Sequence, residues 1–154
     1  MVDAMKVIYD PDDGEFYISN GSGGRTNVTP DPYSAHKWTE ELTAGENLSD
    51  GDWCYLKTTD QKMWKTDANA EATSIGVIAV CTETVLADAD GTFQLQGRYV
   101  TTGLTAGAVY YLSTTSGTIQ ATTRPSGSAD IIRPIGQALS TTVLIIKVDG
   151  YAEV

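Results

Sequence analysis

The segment GDWCYLKTT, residues 51–59, returns as GAVYYLSTT at residues 107–115. The tetrapeptide LTAG comes shortly before or at the start of each copy, at residues 42–45 and 104–107. The positions that the copies share are occupied mainly by Gly, Tyr, Leu and Thr, which shape and fill a β scaffold and carry no reactive group. Parallel matches at nearly one spacing predict that a β motif is duplicated within the chain.

A second pair of matching segments extends the duplication further along the chain. SIGVIA and PIGQAL align Gly76 with Gly136 at a similar spacing. A glycine inside an apolar strand leaves room for a close neighbour, so both glycines are predicted to serve that purpose. The repeats are predicted to occupy about residues 42–86 and 104–148.

The residue types in the apolar runs and the spacing of the turn residues indicate the fold class. Thr, Val, Ile and Tyr dominate the apolar runs, and turn residues recur roughly every 8–12 positions, as in β sandwiches and barrels. Residues 75–81 are apolar without alternation, which indicates a strand buried on both faces. Residues 84–86 and 92–96 are predicted to form a hairpin. We therefore expect an all-β fold, a small barrel or sandwich built from the two duplicated motifs, over residues 42–154.

Residues 1–41 differ in composition and are predicted to form an N-terminal hairpin followed by a flexible arm. The sequence DPDDG between two apolar runs has the Pro and Gly of a tight turn. Residues 20–32 are rich in Gly and Pro and suit no packed element. An isolated hairpin is marginally stable in water, so its apolar residues are predicted to dock on a partner. These residues are Val7, Tyr9, Phe16 and Ile18. The alternative is that the arm folds back onto its own barrel.

Charge and hydropathy exclude two classes of partner. The net charge of −10 would repel phosphate backbones, so nucleic acid binding is not expected. No apolar run approaches the roughly 20 residues of a membrane-spanning helix, so we expect no membrane partner. Cys54 and Cys81 each lie in a strand-like run of the first repeat, so a disulfide between them is one alternative. They follow no export signal, and both are therefore expected to be reduced, buried thiols.

No recognisable catalytic or metal-binding arrangement is present in the sequence. His36 is the single histidine and belongs to no hydrolase motif. The two cysteines and this histidine are too few and too scattered for a zinc site. The acidic residues around the first turn lack the spacing of a calcium loop. We expect no enzyme activity, no metal and no cofactor.

The aromatic residues give a further indication of function. Trp38 and Trp64 lie outside the shared repeat positions and could build a protein interface or a platform for glycans. Trp53 and the tyrosines of the repeats are explained by core packing. Trp38 and Trp64 are therefore predicted as partner-binding residues.

Four segments of the chain are similar to one known family. In the first half they are LTAGENLSDGDWCYLK, residues 42–57, and MWKTDA, residues 63–68. In the second half they are YYLS, residues 110–113, and RPIGQALS, residues 133–140. Through these segments the chain resembles β-rich virion proteins of tailed bacteriophages. The resemblance covers roughly residues 42–148, and modules of this kind occur in head decoration proteins, head fibres and tail fibres.

The resemblance implies a non-enzymatic structural protein of a phage virion, in the first place a capsid decoration (cement) protein that stabilises the head. Such proteins commonly form homotrimers, so the expected partners are further copies and the major capsid protein or other virion proteins. Assembly would take place in the host cytoplasm. The alternative is a tail fibre or receptor-binding module that contacts host glycans. A small hydrolase is the third and weakest hypothesis.

Overall fold

The structure, a computed structural model, describes residues 6–10, 15–19, 25–27, 37–121, 123–148 and 152–153. The chain divides into two compact units, Met1–Ala35 and His36–Val154. Both are built from antiparallel strands, and the prediction of an all-β fold is confirmed.

The smaller unit contains a three-stranded antiparallel sheet. Strands β1 (Lys6–Asp10) and β2 (Glu15–Ser19) form the predicted hairpin, with Lys6 opposite Ser19. A third strand, β3 (Arg25–Asn27), pairs with β2. The prediction that residues 20–32 hold no packed element is therefore wrong at β3, because a third strand gives the hairpin the extra pairing it lacks alone. The other residues of that stretch, 20–24 and 28–32, lie outside the described part of the chain.

The larger unit is organised around one curled antiparallel sheet of nine strands, a half-barrel. The strands are β4 (Lys37–Thr43), β5 (Trp53–Leu56), β6 (Met63–Lys65), β7 (Ile78–Cys81), β8 (Asp90–Val100), β9 (Val109–Leu112), β10 (Ile119–Ala121), β12 (Pro134–Ala138) and β13 (Val143–Ile146). A separate ribbon pairs β11 (Ile131–Ile132) with β14 (Ala152–Glu153). A short 3-10 helix, Glu71–Thr73, connects β6 to β7.

The two halves of this sheet share one strand order. The order along the sheet is β10-β9-β12-β13-β8-β7-β5-β6, and β4 pairs with β8 beside this path. From the centre of the sheet outward, the first half contains β8, β7 and then the hairpin of β5 and β6. The second half contains β13, β12 and then the hairpin of β9 and β10. The halves meet where β13 pairs with β8, with Val143 opposite Val100. The strand order of one half is thus repeated in the other, outward from the pairing of β8 with β13.

One face of the sheet packs a core that both halves share, and we call it the inner face. Trp53 and Val80 from the first half and Tyr110 and Leu144 from the second half belong to this cluster. Trp53 also meets Tyr99 edge-to-face, with ring centroids 6.4 Å apart. Such an aromatic pair stabilises by about 1 kcal/mol beyond its buried area.

In the first half the opposite, outer face is buried as well. A second cluster there contains Cys54, Ala79, Cys81 and Phe93, together with residues from the connections that cross over them. Both faces of β7 are consequently buried, as the unbroken apolar run predicted. The covering side chains are Ala44, Leu48 and Val85.

The aligned segments of the sequence repeat do not occupy equivalent positions in the sheet. Trp53 faces inward, whereas its sequence counterpart Val109 lies on the outer face, and Tyr110 fills the core instead. Side chains alternate along a strand, so a shift of one residue exchanges the faces. Gly76 precedes β7 whereas Gly136 lies inside β12, so these glycines are not equivalent either. The halves share strand order, but the sequence alignment is out of register.

The structure also changes one strand and two boundaries predicted from the sequence. Residues 84–86 form no hairpin strand; Val85 makes an isolated bridge to Leu48 while β7 pairs directly with β8. The first half therefore extends to the end of β8 and not to residue 86. The arm ends at Ala35 and not at residue 41, because β4 pairs along its whole length with β8.

Candidate interaction surface

Trp64, one of the predicted partner-binding residues, is held within the fold. Its ring lies against Gly45, where an added Cβ would overlap it. Its Nε1 donates a hydrogen bond to Asp60 Oδ2 at 3.1 Å, and the Lys57 ammonium lies 4.4 Å from the ring centroid. Lys57 thus lies over the face of the Trp64 ring and Asp60 binds its edge, so little free surface is left on which a sugar could stack.

Trp38, the other predicted tryptophan, is the more accessible. It lies on β4 and is 52% exposed, with its Nε1 donating to Glu40 Oε1 at 2.8 Å. Its strand pairs with β8, whereas Trp64 lies on β6 at the end of the sheet. The structure therefore does not bring the two tryptophans together into one site.

The four predicted docking residues of the hairpin are related by strand register. Val7 pairs with Ile18, and Tyr9 pairs with Phe16, two positions further along. Positions directly opposite one another, and positions two apart, belong to one face of an antiparallel pair. The register thus brings Val7, Tyr9, Phe16 and Ile18 to one face of the smaller unit's sheet.

A further surface, which the sequence analysis missed, is an apolar groove of about 620 Å³ on the outer face of the second half. Strands β9, β12 and β13 form its floor, so it rests on the regular part of the sheet. Val109, Leu139 and Ile145, all at least 37% exposed, supply its aliphatic surface. Its other lining residues include Pro134, Gln137 and Lys147.

Hydrogen bonds hold the walls of the groove, and the charge of its described lining residues is unusual for this chain. The side-chain amide of Gln137 donates to the Gly107 carbonyl at 3.0 Å, and the Lys147 backbone N–H donates to the Ile135 carbonyl at 2.9 Å. None of the described residues that line the groove is acidic, although the chain carries a net charge of −10. An apolar patch free of acidic groups on an acidic protein has the character of a contact surface.

One signal in the sequence could have indicated this groove. The strand Val143–Ile146 is apolar at every position, which suits a strand covered on both faces. The connection that precedes it, residues 139–142, is too short to supply a cover. An apolar strand without enough chain to bury it predicts an exposed face.

The described residues contain no cluster of three or more metal-ligating side chains. His36 lies outside the described residues. Both cysteines are free and buried, and burial raises the pKa of the Cys54 thiol, as does the neighbouring Cys81. A protonated, buried thiol is a poor nucleophile. Within the described part of the chain no helix is long and apolar enough to span a membrane.

Burial of these groups predicts that the protein loses stability in alkaline solution. Burial raises the pKa of Cys54, Cys81 and Tyr99, so the folded state keeps protons that the unfolded state releases above about pH 9, the ordinary thiol value being 9.0. The free energy of unfolding should therefore fall as pH rises through this region. Urea unfolding at neutral pH and at about pH 10 measures the fall. The variant Cys54→Ala should show a shallower fall; equal stability at both pH values would contradict the expectation.

Comparison with known proteins adds no identification: no protein-family model matches the sequence, and no curated protein matches it either.

Proposed function

We propose that this protein is a non-enzymatic structural component of a phage virion, in the first place a capsid decoration protein that stabilises the head. The single structural observation that supports it is the apolar groove of Val109, Leu139 and Ile145, because an exposed aliphatic surface suits attachment to another protein. The resemblance of residues 42–57 and 133–140 to virion proteins supplies the phage context. In the expected trimer, three protomers would attach together, so contacts that are weak for one protomer would give firm attachment of the whole.

The proposal is tested by adding the purified protein to phage heads that lack it. We expect saturable binding at many regular sites and a higher temperature for release of the genome. Heads that bind no protein, or that bind it without any gain in stability, would contradict a decoration role.

The exposed ring of Trp38 favours a second candidate, a tail fibre or receptor-binding module. A half-exposed tryptophan on a strand can stack on a sugar ring. A glycan array probed with the wild type and with Trp38→Ala distinguishes the two functions. Binding that depends on Trp38 supports the receptor module, while Trp64→Ala is the control because that ring is already occupied.

Deletion of residues 1–35 is predicted to leave the larger unit folded and to weaken attachment to heads. The two units are separately compact, so the free energy of unfolding of the larger one should change by less than about 1 kcal/mol. Attachment should weaken because the hairpin face of Val7, Tyr9, Phe16 and Ile18 is lost. Thermal melts and a head-binding assay measure the two effects. Unfolding of the truncated chain would place the hairpin in its core, and undiminished binding would remove its docking role.

A further inference from the structure

The first half of the sheet shows how this fold covers the face that the second half leaves bare. Residues 44–48 and the connection at Val85 cross the outer face of β5 and β7. They join through two backbone hydrogen bonds, from Leu48 N–H to the Val85 carbonyl at 2.8 Å and from Val85 N–H to the Leu48 carbonyl at 2.9 Å. Ala44, Leu48 and Val85 are then at most 4% exposed. The cover is thus extended chain with small and aliphatic side chains.

The second half lacks this cover because its connections run differently. Eight residues, 82–89, join β7 to β8, but four residues, 139–142, join β12 to β13. The chain before β9 turns its leucine, Leu104, into the inner core, whereas Leu48 before β5 lies over the outer face. These connections therefore leave much of the outer face of β9, β12 and β13 exposed, with Ile145 39% exposed and Leu139 69% exposed.

We propose that this groove binds an extended, aliphatic segment of another virion protein, which lies across β9, β12 and β13 as residues 44–48 and Val85 lie across the first half. The identity of that partner as a virion protein rests on the proposed function. The groove offers aliphatic side chains to such a segment, and none of its described lining residues is acidic, so it would not repel an acidic segment.

A second copy of this chain fits the groove less well than a different protein. Among the described residues, the two segments that fit the required description, those at Leu48 and Val85, are already buried against the first half of their own chain. A second copy could not offer them without opening its own outer cluster.

The chain's own cover segment supplies a defined probe. We would titrate a synthetic peptide of residues 42–49, LTAGENLS, into the isotope-labelled full chain and follow backbone amide signals by NMR. The expected result is a saturable shift at Val109, Gln137 and Ile145 with a dissociation constant in the millimolar range. The same peptide with both leucines replaced by serine should leave these signals unchanged.

Variants of the chain test whether the peptide binds at the groove. Ile145→Lys should weaken peptide binding at least about tenfold, because a charge would lie under the aliphatic segment. Leu86→Lys is the matched control, since Leu86 is 67% exposed and does not line the groove, and it should bind as the wild type does. If Ile145→Lys does not fold, Leu139→Lys takes its place, because Leu139 is 69% exposed. The proposal would be overturned if the peptide caused no shifts or caused them at other amides. It would also be overturned if raising the protein concentration without peptide shifted the same signals, because a second copy would then occupy the groove.

A second arm separates this proposal from the proposed function. Wild type and Ile145→Lys are added to phage heads that lack the protein, and we expect attachment of the wild type with a loss of at least about tenfold for the variant. Equal attachment of both would overturn the groove's role while the decoration function stands. No attachment of the wild type, with the peptide still bound at the groove, would refute the decoration function alone.

Discussion

Replacing Gly136 by alanine is expected to destabilise the larger unit by about 3 kcal/mol or more. Gly136 lies inside β12 opposite Ile146 of β13. A Cβ at this position would overlap the carbonyl oxygen of Ile145 and would lie 3.0 Å from its carbonyl carbon and 3.2 Å from Ile146 Cα. These are backbone atoms of a paired strand, so they cannot turn aside as a side chain would. Urea unfolding followed by circular dichroism measures the loss.

Gly103→Ala is the control for this prediction. Gly103 has a φ of +77°, so alanine is strained there, but a Cβ would meet no atom within 4 Å. Backbone strain alone should cost about 1 kcal/mol. If Gly136→Ala were no more harmful than Gly103→Ala, close strand approach would not be the reason for glycine at position 136.

Replacing Arg133 by methionine is expected to destabilise the protein by about 3 kcal/mol. The Arg133 side chain is buried and links the two halves of the sheet, donating to the Ser74 carbonyl at 3.1 Å and to the Gly76 carbonyl at 2.9 Å. Methionine keeps much of the volume but leaves both carbonyls without this donor. Hydrogen bonds to charged groups are the stronger ones, so the loss should be well above that of a surface residue.

Arg124→Met is the matched control, because Arg124 is exposed, and its effect should remain within about 0.5 kcal/mol. Comparable unfolding free energies for the two variants would contradict the role assigned to the Arg133 guanidinium. Hydrogen exchange at the amides of residues 74–76 should also rise in Arg133→Met if the guanidinium holds that segment.

The sequence was sufficient for the fold class and for several local features. The β-favouring residues of the apolar runs and the spacing of turn residues predicted an all-β chain, and the unbroken apolar run of β7 predicted burial on both faces. Those signals are local and depend on side-chain period and turn chemistry alone. Free, buried Cys54 and Cys81 also followed from composition and are found so.

The register of the duplication could not be obtained from the sequence. Matching residues placed Trp53 with Val109, but Val109 faces outward because the second half shifts its alternation by one residue. The pairing of β12 with β9 contains an irregularity between Pro134 and Gly136, and such bulges change the faces that follow. An irregularity of this kind is set by packing between distant strands.

The interaction surface was missed for a related reason. Trp38 and Trp64 attracted attention as large aromatic residues, yet Trp64 is held by Asp60, Lys57 and Gly45. The groove uses ordinary aliphatic residues that would be core in any other strand. The connection between β7 and β8, which helps to bury the first half, has eight residues, whereas the corresponding connection in the second half has four.

The number of copies of this protein in purified virions tests the central claim most directly. Quantitative mass spectrometry with labelled standards gives its ratio to the major capsid protein. A decoration protein predicts hundreds of copies in each particle, in a fixed proportion to the capsid lattice. A handful of copies would point to the fibre alternative, and absence from the particle would contradict the virion function altogether.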